Sequence, residues 1–164
     1  MRMKTVWLFA VGAMFASVAV GASNAEALHK RESAMACFAR GTTDSWTSSA
    51  GLSNYSTTDN LTINCAVNDD DRFKKEDVAT LNMHGYNGNS STPIYAVACV
   101  SYYASNGGAC GASSSAAGVG NYTLSPARTY WTSTYASDFG FVQLTLGTIS
   151  GSSASSFRGF YISN

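Results

Sequence analysis

Asn60-Leu61-Thr62-Ile63-Asn64-Cys65-Ala66-Val67 places Leu61, Ile63, Cys65 and Val67 at every second position. Successive side chains of an extended chain point to opposite faces, so this stretch is predicted to be a half-buried strand. The same period returns on both sides of it. Val78 to Tyr86 sets Ala79, Leu81 and Met83 against Thr80, Asn82 and His84. Ile94 to Tyr103 is apolar on nearly both faces, the pattern of a central strand. Val119 to Leu124, Phe139 to Leu146 and Phe157 to Ile162 complete the clear set. Ala34 to Phe38 reads as a first strand, and Trp46 sits on a short further one.

Between these runs lie Asn68 to Asp71, Tyr86 to Thr92, Ser105 to Gly108, Gly111 to Gly118 and Gly147 to Ser156, all rich in turn-forming residues. Helix-period stretches of Leu, Glu, Lys and Ala are absent, apart from one possible helical turn around Arg72 to Asp77. The predicted fold class is therefore all-β: a single-domain antiparallel β-sandwich of seven to eight strands, with a barrel as the alternative closure.

The N-terminus has a different character. Arg2 and Lys4 precede an apolar run from Val6 to Ala22, followed by small residues around Ala25-Glu26-Ala27. A basic head, an apolar middle and a small-residue cut site are the parts of a secretory signal peptide. Residues 1–27 are read as that leader, cut after Ala25 or Ala27, and 28–164 as the sandwich domain. The apolar run is slightly short of the ~20 residues a span needs, so no membrane span is expected after processing. The expected location is secreted, either periplasmic or extracellular.

Export changes how the four cysteines are read. In an oxidising compartment Cys37, Cys65, Cys99 and Cys110 are expected to be disulfides, with three pairings open. Cys99 and Cys110 bracket Ser105-Asn106-Gly107-Gly108, a strong turn signal. Cys99–Cys110 is therefore favoured, which leaves Cys37–Cys65. A Cα separation beyond about 7 Å would exclude that choice.

The precursor is formally neutral, with ten basic and ten acidic residues. Removing Arg2 and Lys4 leaves eight basic residues against nine or ten acidic ones, depending on Glu26. Nucleic acid is not an expected partner, because phosphate neutralisation needs clustered Lys and Arg, and acids flank both Lys30-Arg31 and Lys74-Lys75.

Few residues offer chemistry. Asp69, Asp70 and Asp71 form the densest acidic cluster and are the weak metal candidates, for calcium, although the EF-hand spacing is missing. A solvated turn is the preferred reading of them, and no cofactor is expected. His84 is the one histidine well inside the domain, so a Ser-His-Asp hydrolase would have to use it. No Gly-x-Ser-x-Gly elbow accompanies it. Tyr130, Trp131, Tyr135, Phe139 and Phe141 form an aromatic group that either fills the core or stacks on sugar rings, and core filling is preferred. Trp131, Tyr130 and Trp46 are the ligand-binding candidates. Asn54, Asn60, Asn89 and Asn121 each begin an Asn-x-Ser/Thr triplet, a surface glycosylation acceptor in a eukaryotic secretory pathway.

The order of features resembles a group of small secreted bacterial β-sandwich proteins of unassigned function. The likeness rests on Cys37, on Asn60-Leu61-Thr62-Ile63-Asn64-Cys65 running into the Asp-rich turn at 69–71, and on Val78 and Leu81. The Cys99 strand and the terminal Gly159-Phe160-Tyr161-Ile162-Ser163 complete it. In that group proline commonly follows the cysteine at the position of Cys65, where this chain has Ala66. The resemblance implies a secreted sandwich and transfers no catalytic residue.

The expectation is thus a disulfide-stabilised extracellular structural or binding protein without an evident catalytic site; its partner is left open, with the cell surface and a polysaccharide as candidates. The alternatives are a carbohydrate-binding module using Tyr130 and Trp131, and a small secreted hydrolase.

Overall fold

The computed structural model describes residues 28–41, 45–48, 51–67, 73–133, 135 and 137–164. These form two antiparallel sheets facing each other across one apolar core. The first is built from β1 (His29–Ser33), β3 (Ser45–Ser48), β4 (Gly51–Asn54), β6 (Thr80–Asn87), β10 (Gly120–Leu124) and β12 (Ser155–Ser163). Its order is β10-β6-β12-β4-β3, with β1 also paired to β12. The second contains β2 (Phe38–Arg40), β5 (Leu61–Ala66), β7 (Ile94–Ser101), β8 (Gly108–Cys110), β9 (Ser114–Ala116) and β11 (Phe139–Leu146). Its order is β2-β5-β11-β7-β8, with β9 beside β7.

The predicted sandwich is therefore the observed architecture. In β5, Leu61, Ile63 and Cys65 are buried while Thr62 and Asn64 are half-buried, as the alternation requires. β11 buries Gly140, Val142, Leu144 and Leu146, and β6 buries Leu81, Met83 and Gly85. β7 is paired along both edges, by β11 on one side and by β8 and β9 on the other.

Twelve strands replace the expected seven or eight among the described residues. The additional ones are β1, β4, β8 and β9, all of five residues or fewer. One predicted strand is corrected: Ala34 to Ala36 is a 3-10 turn, because the Ser33 side chain accepts from the Met35 amide and starts a turn there. The strand begins only at Phe38. The helical turn expected around Arg72 to Asp77 is a 3-10 turn over Lys75–Asp77.

Cys37 is bonded to Cys65 and Cys99 to Cys110, with Cα separations of 4.4 and 4.0 Å. Both lie inside the reach of a disulfide. Cys99 and Cys110 are direct cross-strand partners, and Cys65 is on the core side of β5.

One end of the core is closed by the short helix α1 (Thr129–Ser133) packed against the Lys75–Asp77 turn. Trp131 is wholly buried, and its Nε1 donates to the Cys99 carbonyl at 2.8 Å. Lys75 is buried as well, with Nζ 2.9 Å from the Tyr135 carbonyl and 3.5 Å from the Glu76 carboxylate. Gly140 makes room for both side chains: a Cβ there would lie 3.3 Å from that of Lys75 and 3.7 Å from Trp131 Nε1.

Buried asparagines tie down the loops at the ends of the strands. Asn54 Nδ2 donates to the carbonyls of Asp59 and Gly147, and Asn89 Oδ1 accepts the amides of Ser91 and Thr92. Both asparagines are at most 3 % exposed. Two of the four Asn-x-Ser/Thr triplets, at Asn54 and Asn89, are thus not surface acceptors in the folded protein, whereas Asn60 and Asn121 are exposed.

Tyr122 lies buried over Gly85, and its hydroxyl donates to the Ser156 carbonyl at 2.9 Å. Burial raises its pKa well above the usual phenol value, and nearby Arg158 offsets this only in part. Because the folded pKa is raised, the contribution is complete below the unfolded pKa of about 10 and is lost as pH climbs towards the folded one. Spectrophotometric titration of the nine tyrosines is expected to leave one phenol un-ionised until alkaline unfolding. Tyr122→Phe should remove that late step; a step that survives the substitution would contradict this placement.

Candidate functional site: two unlike sheet faces

Cross-strand partners share a face, so the pairing register fixes what each sheet presents outward. On the second sheet one outward row runs Phe38, Asn64, Gln143, Val97. The next holds Ala66, Phe141, Cys99 and Cys110, and the one beyond it Phe139, Ser101 and Gly108. Arg40, Thr62, Thr145, Tyr95 and Ser115 form the row on the other side.

Aromatic rings dominate this face. Phe38 is 68 % exposed, Phe139 62 % and Tyr95 47 %. Tyr103, just past the end of β7, is 71 % exposed and packs against Phe139 with ring centroids 6.4 Å apart. Keeping large apolar side chains in water costs free energy, so a face carrying several of them marks a contact surface. The six strands of the sheet contain no Asp or Glu and a single basic residue, Arg40.

The rings stand on a fixed frame. The buried Asp138 carboxylate accepts the Tyr103 amide at 3.0 Å, one residue before Phe139. The Asp138 amide in turn donates to the Tyr135 carbonyl, which also receives Lys75. The Cys99–Cys110 bridge clamps the strands between Phe141 and the sheet edge.

The candidates read from sequence fall in different places. Trp131 is corrected: a ring sealed in the core and anchored to Cys99 is not available to stack on a ligand. Tyr130, its neighbour on α1, is 37 % exposed, and Tyr135 is 82 % exposed. Trp46 has its backbone on the edge strand β3, and its side chain lies outside the described residues, as do Asp69, Asp70 and Asp71. The calcium candidate therefore lies outside the described residues too. Among those residues no three His, Cys, Asp or Glu side chains converge as metal ligands. His84 is exposed on the first sheet, and its Nδ1 lies 3.1 Å from the Thr123 hydroxyl.

Phe38, Tyr95 and Tyr103 were not singled out from sequence. Tyr95 alternates with Ile94 and Ala96, so a strict period-two reading of Ile94 to Tyr103 places it outward. Phe38 carries no such signal because its strand has three residues.

The outward face of the first sheet is polar. It carries His29, Arg31, Ser33, Tyr161, Asn82, His84 and Thr123 in register. The His29 and Tyr161 rings stack at 5.6 Å. No protein-family model matches the chain, and neither does any curated protein or solved structure. Among the described residues no helix is long and apolar enough to cross a membrane.

Proposed function

We propose that this chain is an extracellular, non-catalytic binding module, exported past the leader 1–27, that holds polysaccharide on the outward face of its second sheet. The observation that carries the reading is the exposed aromatic set Phe38, Phe139, Tyr95 and Tyr103 on a rigid sheet without carboxylates. Flat rings cover the apolar faces of sugar rings, and a frame fixed before binding spends little ordering entropy on the contact. Two disulfides suit a protein that works in an oxidising compartment. The platform stands in place of the alternative one at Tyr130 and Trp131, whose tryptophan is buried.

Cosedimentation with insoluble cellulose, chitin and xylan tests this. The disulfide-intact protein is expected to be retained by at least one neutral polymer. Phe139→Ala combined with Tyr103→Ala should weaken that retention about tenfold or more, since truncating an aromatic side chain at a binding centre costs ~2 kcal/mol. Both side chains are exposed, so the thermal midpoint should hold. Retention unchanged in the double variant, or none on any polymer, would remove the reading.

A further inference from the structure

We infer that the outward face of the first sheet is a second, separate binding site, for the carboxylate groups of an acidic polysaccharide. The row Ser33, Gly159, His84, Thr123 crosses four strands, β1, β12, β6 and β10. Gly159 has φ +148°, and a Cβ there would lie 2.3 Å from the Glu32 carbonyl. Only glycine fits, so the middle of the row carries no side chain and the sheet is dented between Ser33 and His84. The dent opens into a groove of about 750 Å³ bordered by Arg31, Arg158, His84 and Tyr161.

Arg158 reaches the groove because of a register shift in β12. The pairing with β6 jumps from Phe157 to Gly159, leaving Arg158 as the extra residue at the seam where β4 gives way to β1. Arg31 stands one row along, opposite Tyr161. The salt bridges among the described residues are Lys30–Glu32 and Lys75–Glu76, so neither guanidinium has a carboxylate partner there. Glu32 also borders the groove, but its carboxylate is held by Lys30 at 3.3 Å. The local charge is therefore positive on a domain whose overall balance is slightly acidic.

Two guanidiniums with no carboxylate partner among the described residues, set over a shallow dent, match planar carboxylates, which they bind through paired hydrogen bonds. The stacked Tyr161 and His29 rings beside Arg31 supply an apolar surface for the sugar ring that bears the acid. An open groove on a sheet admits a continuous chain rather than an enclosed small molecule. The ligand class is thus a uronate-bearing polymer.

Affinity electrophoresis of the disulfide-intact protein through gels holding polygalacturonate tests the inference, with fully methyl-esterified polygalacturonate as the neutral counterpart. Retardation is expected in the acidic gel alone and should fall at ~0.5 M salt, where screening is strong. Arg31→Ala with Arg158→Ala should weaken it about 100-fold, each charged hydrogen-bonding group contributing about tenfold at the low end of its range. Arg31→Lys with Arg158→Lys, which keeps charge but not the paired geometry, should recover only part of it. Equal retardation in the esterified gel, an unchanged double-alanine variant, or capture by anionic lipid vesicles in place of the polymer would overturn the inference. The two sites fail separately: the double-alanine variant should still sediment with the neutral polymer. Loss of neutral-polymer binding alone would leave the groove standing.

Discussion

Replacing all four cysteines with serine is expected to leave a chain that does not hold its fold at body temperature. The bridges close loops with sequence separations of 28 and 11 residues. The chain-entropy relation assigns such loops about 3.6 and about 2.8 kcal/mol. Their sum, roughly 6 kcal/mol, rivals the whole net stability of a domain this size, about 5–15 kcal/mol. The Cys37–Cys65 bridge should matter more, for two reasons. Its loop is longer, and it secures β2, a three-residue edge strand with little pairing of its own. Denaturant titration of the two paired-serine variants checks the order: Cys37→Ser with Cys65→Ser should lower the midpoint further than Cys99→Ser with Cys110→Ser. Losing β2 also frees Phe38, so retention on neutral polymer should fall with the first pair. A reductant-treated protein whose melting midpoint moves by only a few degrees would refute this and weaken the argument for an oxidising compartment.

How far the fold was legible follows from where the pairing information sits. β5, β6, β11 and β12 bury one face each, so the burial requirement writes an alternation into the sequence itself. β1 has no such signature. His29-Lys30-Arg31-Glu32-Ser33 is extended because the terminal strand β12 pairs with it, and that partner lies at the far end of the chain. Lys30 and Glu32 alternate with Arg31 and share the inner side of this edge strand, where charges discourage further pairing. β8 and β9 arise in a Gly- and Ser-rich tract and become strands only because β7 offers an unpaired edge. The candidate site was half legible for a related reason. The aromatic group at 130–141 was visible as composition, but which rings face water depends on α1, which turns Trp131 inward while β11 turns Phe139 outward. The dent at Gly159 was not legible at all. It needs both the register shift in β12 and the proximity of β1, and neither is a local property.

Trp131→Ala is expected to be the most damaging single substitution. The side chain is among the largest of the fully buried ones, and removing a buried tryptophan costs about 3–5 kcal/mol in transfer and cavity terms. Removal of the Nε1 donor to Cys99 adds about 1 kcal/mol, and the void opens beside the buried Lys75. Water entering there would loosen the hold of Lys75 on the Tyr135 carbonyl, and with it the Asp138 amide that shares this carbonyl and whose carboxylate holds Tyr103 beside Phe139. Trp131→Phe separates the two contributions: it keeps most of the packing and loses the hydrogen bond, so it should cost about 1–2 kcal/mol. Equilibrium denaturation reads both variants. Hydrogen exchange then distinguishes local from global damage, since the Asp138 amide, bonded to the Tyr135 carbonyl, should lose protection in Trp131→Phe before the amides of β5 and β11 do. If Trp131→Ala instead costs less than about 1 kcal/mol, as exposed positions do, the ring is not the plug of the core. The platform reading excluded for Trp131 would then have to be reopened.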